Sequence, residues 1–154
     1  MKFNKLNLLR AIFSYFGRCG SATRRRWGRT LGWLTPKLLR SRAHIVRTKR
    51  AWCFPDRSAA EREAWLRRHF YLLAQSVIDR GLFWFGPPET VRETIHITGL
   101  EHLEQLLAAK RRIIMLAPHF IALDAAATRL SEFLSHSATP YTPQSDKDVY
   151  RSEK

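Results

Sequence analysis

The chain of 154 residues has few cysteines, few glycines and prolines, and no long uncharged stretch. Its two cysteines, Cys19 and Cys53, lie far apart in the sequence and lack metal-ligand spacing, which favours a reduced cytosolic chain over a disulfide framework. With only 7 glycines and 7 prolines, it is not a low-complexity chain. The longest run without Asp, Glu, Lys or Arg is residues 133–145, too short for a bilayer-spanning helix. The length fits one domain.

Acidic residues are missing from residues 1–50, which hold 14 Lys or Arg, whereas residues 51–154 hold 13 residues of each sign. Bulky apolar side chains are interleaved with these cations, most densely at residues 24–27. Leu and Trp gather in runs such as residues 31–34, whereas single-stranded nucleic-acid binders stack isolated aromatics on a polar platform. This composition favours an anionic lipid surface as the partner of the basic region.

We therefore predict two parts, a basic amphipathic membrane-docking region over residues 1–50 and a neutral domain over residues 51–154. The side chains expected to dock are cations and tryptophans: Arg24, Arg25, Arg26, Trp27, Arg29 and Trp33. Two alternatives remain open for the basic region. It could be a solvated charged face on packed helices, or a nucleic-acid-binding surface, an interpretation that rests on the charge alone.

The neutral part begins with a helix predicted over residues 58–80. Ser58 and Glu61 have the spacing of a capping box, and Gly81 is expected to end the helix. The residues expected on its buried face are Leu66, Phe70, Leu73 and Val77. Residues 81–88 are then predicted to form a buried or membrane-facing loop that ends at two prolines.

Beyond this helix, the hydrophobic pattern changes its period. Residues 93–98 alternate as a half-buried strand does, residues 100–110 suggest a short amphipathic helix, and residues 112–117 suggest a strand buried on both faces. A last helix is predicted over residues 121–134. Because strand, helix and strand in this order form a βαβ unit, we predict an α/β fold that begins with a helical basic region.

His119 and Asp124 directly follow the predicted buried strand, at the edge where ligands bind in open α/β folds. Residues five apart on one α-helix are separated by about 140° around its axis, so these two meet only if His119 lies on a turn and Asp124 in the first helical turns. The carboxylate would then hold one ring nitrogen and leave the other as a general base. The alternative is a polar residue that ends a strand.

The spacing His119-x4-Asp124 resembles the acyltransferase motif of the glycerolipid and lipid A acyltransferases. The surrounding sequence narrows this to the bacterial lipid A biosynthesis acyltransferases, which include lauroyl and myristoyl transferases. The similar segments are residues 53–70, 99–103, 113–124 and 141–147. The resemblance extends from about residue 26 to residue 147 and covers the amino-terminal half of the family pattern.

This resemblance implies an enzyme at the cytoplasmic face of the Gram-negative inner membrane. Such an enzyme moves a fatty acyl group from acyl carrier protein to a hydroxyl of a lipid A precursor in lipopolysaccharide biosynthesis. It implies His119 as the general base and Asp124 as its orienting partner, with no cofactor and no metal. The expected partners are acyl carrier protein, the anionic lipid A precursor and the inner membrane surface, without nucleic acid.

Two departures from the family pattern modify these expectations. Arg10 and Arg18 interrupt the hydrophobic segment with which the family begins, so we expect peripheral or interfacial attachment instead of a membrane span. Family members are also considerably longer, so we expect an amino-terminal fragment or a truncated copy that contains only the first βαβ part of a glycerolipid-acyltransferase-like sheet. The alternative from another class is a non-catalytic membrane-binding fragment.

Overall fold

The computed structural model describes residues 5–134 and 137–138, and this part of the chain consists of α-helices and loops. The helices are α1 Lys5–Arg18, α2 Ser21–Leu38, α3 Arg40–Cys53, α4 Ala59–Phe85, α5 Pro88–Thr94, α6 Leu100–Ala108 and α7 Leu123–Leu130. Helices α1 and α2 both pack along α4, and α3 contacts α2 and α4. Helix α7 contacts α4 as well. The long helix α4 is therefore the centre around which the other elements are arranged.

Helix α4 begins at the capping box that the sequence predicts. The hydroxyl of Ser58 accepts the backbone N–H of Glu61 at 3.2 Å, and the Glu61 carboxylate accepts the backbone N–H of Ser58 at 2.9 Å. Two amides of the helix start are thereby satisfied. The backbone hydrogen bond from Ser58 is the main cause that lowers the pKa of Glu61. The capping-box prediction is confirmed.

The buried face of α4 repeats every four residues and differs from the predicted one. Its largest buried side chains are Leu66, Phe70, Ile78 and Leu82. Leu73 and Val77 are 39% and 44% exposed, so their assignment to the core is wrong. Residues three or four positions apart lie on nearly the same face of a helix, so the sequence is compatible with more than one buried face. The neighbouring helices determine which of these faces is covered.

Glycines bring the backbones of α1 and α2 very close to α4. A Cβ atom on Gly17 would lie 2.6 Å from the carbonyl oxygen of Gly81, and one on Gly32 would lie 2.5 Å from the Cα atom of Tyr71. Side chains at these positions would force the helices apart, because helix separation depends on side-chain size at the contact. Gly81 is buried inside α4, so the predicted helix end at Gly81 and the predicted loop from residue 81 are wrong.

The predicted α/β fold is also wrong, because the residues that the structure describes contain no strand and no sheet. Residues 93–94 belong to α5, and residues 95–98 and 111–120 form neither helix nor strand. Ile114 and Leu116, expected in a buried strand, are 90% and 92% exposed. A strand must exchange backbone hydrogen bonds with a neighbour, and a run of apolar residues does not supply that neighbour. The predicted βαβ unit therefore does not form.

Candidate functional site

His119 and Asp124 lie close to the start of α7. His119 lies in the irregular segment that precedes α7, and Asp124 lies in the first turn of that helix. His119 is exposed, whereas Asp124 is half-buried. The His119 ring makes no hydrogen bond to any residue in the described ranges. The side chains of the two residues are thus not joined by a hydrogen bond, although only four residues separate them in the chain.

The carboxylate of Asp124 is held by Arg80, a residue of α4. The Nε atom of Arg80 donates to Oδ2 of Asp124 at 2.6 Å, and the two side chains are 39% and 41% exposed. The Arg80 guanidinium also lies 5.9 Å from the centroid of the Trp84 ring. Within the described part of the chain, Oδ1 of Asp124 accepts no hydrogen bond.

Sequence reasoning missed Arg80, which lies 44 positions before its partner. No local pattern distinguishes it from the other arginines of α4, because its role depends on how α7 packs against that helix. The sequence contains many arginines that could pair with Asp124, and Arg80 is one of them. Only the tertiary arrangement separates it from the rest.

The far end of α7 is fixed by a second group of charged residues. Glu132, just beyond α7, accepts from Nε of Arg92 at 3.0 Å and from a terminal nitrogen of Arg129 at 2.6 Å. Arg129 also donates to the carbonyl oxygen of Ile95 at 3.1 Å. The hydrogen bond from Arg92 is the main cause that lowers the pKa of Glu132. Helix α7 is therefore positioned at both ends by ionic contacts.

Arg24, one of the side chains expected to dock on a membrane, lies inside the helix bundle. Its side chain is 4% exposed, and its Nε atom forms an ion pair with Oδ1 of Asp79 at 3.3 Å that is not aligned as a hydrogen bond. It also donates to the backbone carbonyl of Cys19. The amide of Gln75 donates to both oxygens of Asp79 at 2.9 Å. The charge of Arg24 therefore faces α4 and not the surroundings.

The other predicted docking residues are exposed on two flanks of α2. Trp27 faces α1, where its ring lies 6.3 Å from that of Phe16. With about 100° between successive residues, Arg25, Arg29 and Trp33 fall on the opposite flank, and Arg26 lies between the two flanks on the outer face. Several large apolar side chains of α1 and α2 are also exposed: Leu8, Leu9, Ile12, Tyr15, Trp27 and Leu38. Helix α2 therefore separates an apolar surface shared with α1 from a cationic flank.

The described residues lack two features that other kinds of site would need. No helix found there combines the length and apolar character needed to cross a membrane. The same residues contain no cluster of His, Cys, Asp or Glu that could hold a metal ion. The segment 141–147, part of the family resemblance, lies outside the described residues.

Similarity to known proteins identifies the family of this chain. Residues 8–152 match the family model for bacterial lipid A biosynthesis acyltransferases. The chain is 30% identical over 102 residues to the lipid A biosynthesis lauroyltransferase of Escherichia coli (strain K12). The aligned residues make up 66% of this chain and 33% of that protein. It is 30% identical over 97 residues to the palmitoleoyltransferase of the same strain, covering 63% of this chain and 32% of that protein.

The myristoyltransferase of that strain is 34% identical over 75 residues, covering 49% of this chain and 23% of that protein. No solved structure matches the chain. The chain thus spans about a third of the length of the first two relatives. The family match covers α1 from residue 8 onward and the whole of helices α2 to α7. It also includes His119 and Asp124. It confirms the family identified from the sequence: the chain belongs to the bacterial lipid A biosynthesis acyltransferases.

Proposed function

We propose that this chain acts in the transfer of a fatty acyl group to a lipid A precursor. The observation that supports the proposal is the family match over residues 8–152. The proposed donor is the thioester of acyl carrier protein, and the acceptor is a hydroxyl of the precursor. The proposed location is the cytoplasmic face of the inner membrane, where the exposed apolar surface of α1 and α2 and the cationic flank of α2 suit peripheral attachment.

In the proposed reaction, the acceptor hydroxyl oxygen attacks the thioester carbonyl carbon while His119 removes the hydroxyl proton. The new C–O bond forms and the C–S bond breaks, and the thiol leaves with the proton returned by the imidazolium. Imidazole suits this role because its ordinary pKa lies close to neutral pH. The exposure of His119 and its lack of a hydrogen-bonded partner among the described residues are consistent with a ring that is open to substrate.

Asp124 is proposed to orient the His119 ring through its second carboxylate oxygen, Oδ1. Arg80 holds the other oxygen at 2.6 Å and so limits rotation of the carboxylate. Arg80 is therefore a positioning residue in this proposal, because it acts on the base only through Asp124. A carboxylate hydrogen-bonded to imidazole fixes the ring tautomer and stabilises the imidazolium that forms during transfer.

The test replaces His119 in the chain and measures transfer of a labelled acyl group from acyl carrier protein to the lipid A precursor. We expect His119→Ala to lower the rate by about 100-fold or more, the usual contribution of a general base. His102→Ala is the matched control, because His102 is also exposed and belongs to another helix, α6. Equal rates for the two variants would contradict the role of His119.

A second candidate function is non-catalytic membrane binding. It is favoured by the exposure of Ile114 and Leu116, which leaves the segment before His119 without the cover that a catalytic pocket needs. This candidate predicts that the unmodified chain binds anionic vesicles and shows no transfer above background. Transfer that depends on His119 would exclude it.

A further inference from the structure

A cleft of about 400 Å³ lies where α2, α3 and α4 meet. Four of the side chains that line it are cations, and they come from all three helices: Arg29, Lys37, Arg47 and Arg67. The carboxylate among the lining residues belongs to Glu63. The volume lies in the range of sites that hold small molecules or lipid headgroups.

One of the four cations is neutralised within the protein. Nε and a terminal nitrogen of Arg47 donate to the two carboxylate oxygens of Glu63, both at 3.0 Å. This two-point contact is the main cause that lowers the pKa of Glu63. Since the Glu63 carboxylate is occupied by Arg47, the cleft retains a net excess of three positive charges.

The three remaining cations have no ion-pair partner within the part of the chain that the structure describes. Arg29 and Arg67 are exposed, and the Nζ atom of Lys37 lies 3.1 Å from the centroid of the Trp33 ring. This cation–π contact holds the ammonium group at the cleft. Like charges gathered in this way destabilise the folded chain, and a bound anion would remove the repulsion.

A phosphate group fits this arrangement chemically. Guanidinium groups bind phosphate oxygens through two parallel hydrogen bonds, and an ammonium group adds a compact charge. The surroundings of the cleft favour a lipid as the source of the phosphate. Trp33, which lines the cleft, is 63% exposed, and Leu39, directly after α2, is 51% exposed. Such residues suit the boundary between headgroups and acyl chains.

We propose that this cleft binds the phosphate group of an anionic membrane lipid through Arg29, Lys37 and Arg67. The proposal rests on the membrane-docking part of the proposed function and adds a defined headgroup site to it. General attraction to an anionic surface depends on the number of cations, whereas a site depends on which cations are present. This difference makes the proposal testable.

The test compares two triple variants of the full 154-residue chain in their binding to phosphatidylcholine vesicles with and without phosphatidic acid. The cleft variant carries Arg29→Gln, Lys37→Gln and Arg67→Gln. The matched control carries the same change at exposed cations of α3 and α4 outside the cleft: Arg42→Gln, Lys49→Gln and Arg68→Gln. We expect the cleft variant to lose about tenfold more affinity for phosphatidic acid vesicles than the control, the effect of at least one charge-assisted hydrogen bond.

Equal losses in the two triple variants would overturn the headgroup site and leave surface docking intact. Failure of the unmodified chain to bind phosphatidic acid vesicles would contradict the docking part of the proposed function itself. The lipid assignment is wrong if inorganic phosphate or single-stranded DNA binds more tightly than the vesicles and the cleft variant loses that binding.

Folding of the variants is checked by far-ultraviolet circular dichroism and thermal melting. Because the substitutions remove repulsion between exposed cations, we expect the Tm of the cleft variant to equal or exceed that of the unmodified chain. If the triple variant loses helical signal, Arg29→Gln and Arg67→Gln are compared singly with Arg68→Gln. A larger loss of affinity in the two cleft variants is then the expected result, and equal losses refute the site.

Discussion

Residues 5–94 pack around the buried face of α4, whereas residues 95–134 contain no fully buried side chain. The most apolar run of the chain, residues 113–117, lies in this second region, and its Leu116 is 92% exposed. By contrast, the strongly basic α2 contributes a buried face made of Arg24, Gly28 and Gly32. Burial therefore follows the availability of a partner surface, and local apolar content alone does not locate the core.

The two regions also differ in the contacts that stabilise them. In the first, fully buried side chains such as Phe70 contact neighbouring helices. In the second, α7 is fixed by partly exposed ion pairs, Arg80 with Asp124 and Arg92 with Glu132. Exposed ion pairs contribute only about 0–1 kcal/mol each, so we expect the second region to open at a lower free energy than the bundle.

The largest contrast is expected from removing a big apolar side chain in each region. Phe70→Ala should lower the free energy of unfolding by about 3–5 kcal/mol, because Phe70 is 2% exposed and its loss leaves a cavity. Leu116→Ala should change it by less than about 0.5 kcal/mol, since the Leu116 side chain is already in solvent. Urea denaturation followed by circular dichroism measures both values. Similar losses in the two variants would show that residues 113–117 are covered.

A smaller contrast is expected from removing one carboxylate in each region. Asp79→Ala leaves the buried guanidinium of Arg24 without its counter-charge and should cost about 3 kcal/mol. Asp124→Ala removes a partly exposed pair and should cost about 1 kcal/mol or less. The double variant Arg24→Met, Asp79→Ala should regain part of the loss. If it is less stable than Asp79→Ala alone, Arg24 is stabilised by something other than the ion pair.

The smallest effect is expected from pH. Burial is the main cause that lowers the pKa of His69, so the fold favours its neutral form, and stability should decrease as the pH falls below the ordinary value of 6.5. Glu63 and Glu132 affect stability at lower pH, because the fold lowers the pKa of both carboxyl groups below the ordinary value of 4.5. Their charged forms stabilise the fold above pH 4.5, and this stabilisation is lost as the pH falls through their folded-state pKa values.

Melting temperatures measured between pH 8 and pH 3 separate these contributions. The His69→Gln variant should lose the step just below pH 6.5 and keep the acidic one. An unchanged profile in this variant would mean that His69 does not contribute to the pH dependence of the first region.

The features predictable from sequence are those encoded within a few residues. Ser58 and Glu61 specify the start of α4 because both partners of the capping box lie in one turn. The placement of His119 before a helix and Asp124 in its first turn is local in the same sense. Whether residues 112–117 form a strand was not predictable from their own sequence, because strand formation requires a partner that this stretch cannot specify.

The remaining errors come from contacts between distant parts of the chain. The sequence does not show that Arg24 in the basic region pairs with Asp79 beyond residue 50, where the charge composition changes. Gly81 was expected to end α4 because glycine weakens helices, yet its contact with Gly17 places it within the helix. The contact between Arg80 and Asp124 likewise depends on how α7 packs against α4, which no local sequence pattern specifies.

The contact of Gly17 with Gly81 cannot form before α4 has been synthesised. Ribosomes add about 5–20 residues per second from the amino terminus, so α1 and α2 leave the ribosome seconds before α4 is complete. During that interval the first fifty residues present 14 cations and no acidic residue, and the faces that later contact α4 are still uncovered. On the proposed function, the nascent chain can therefore reach an anionic membrane before its own bundle closes.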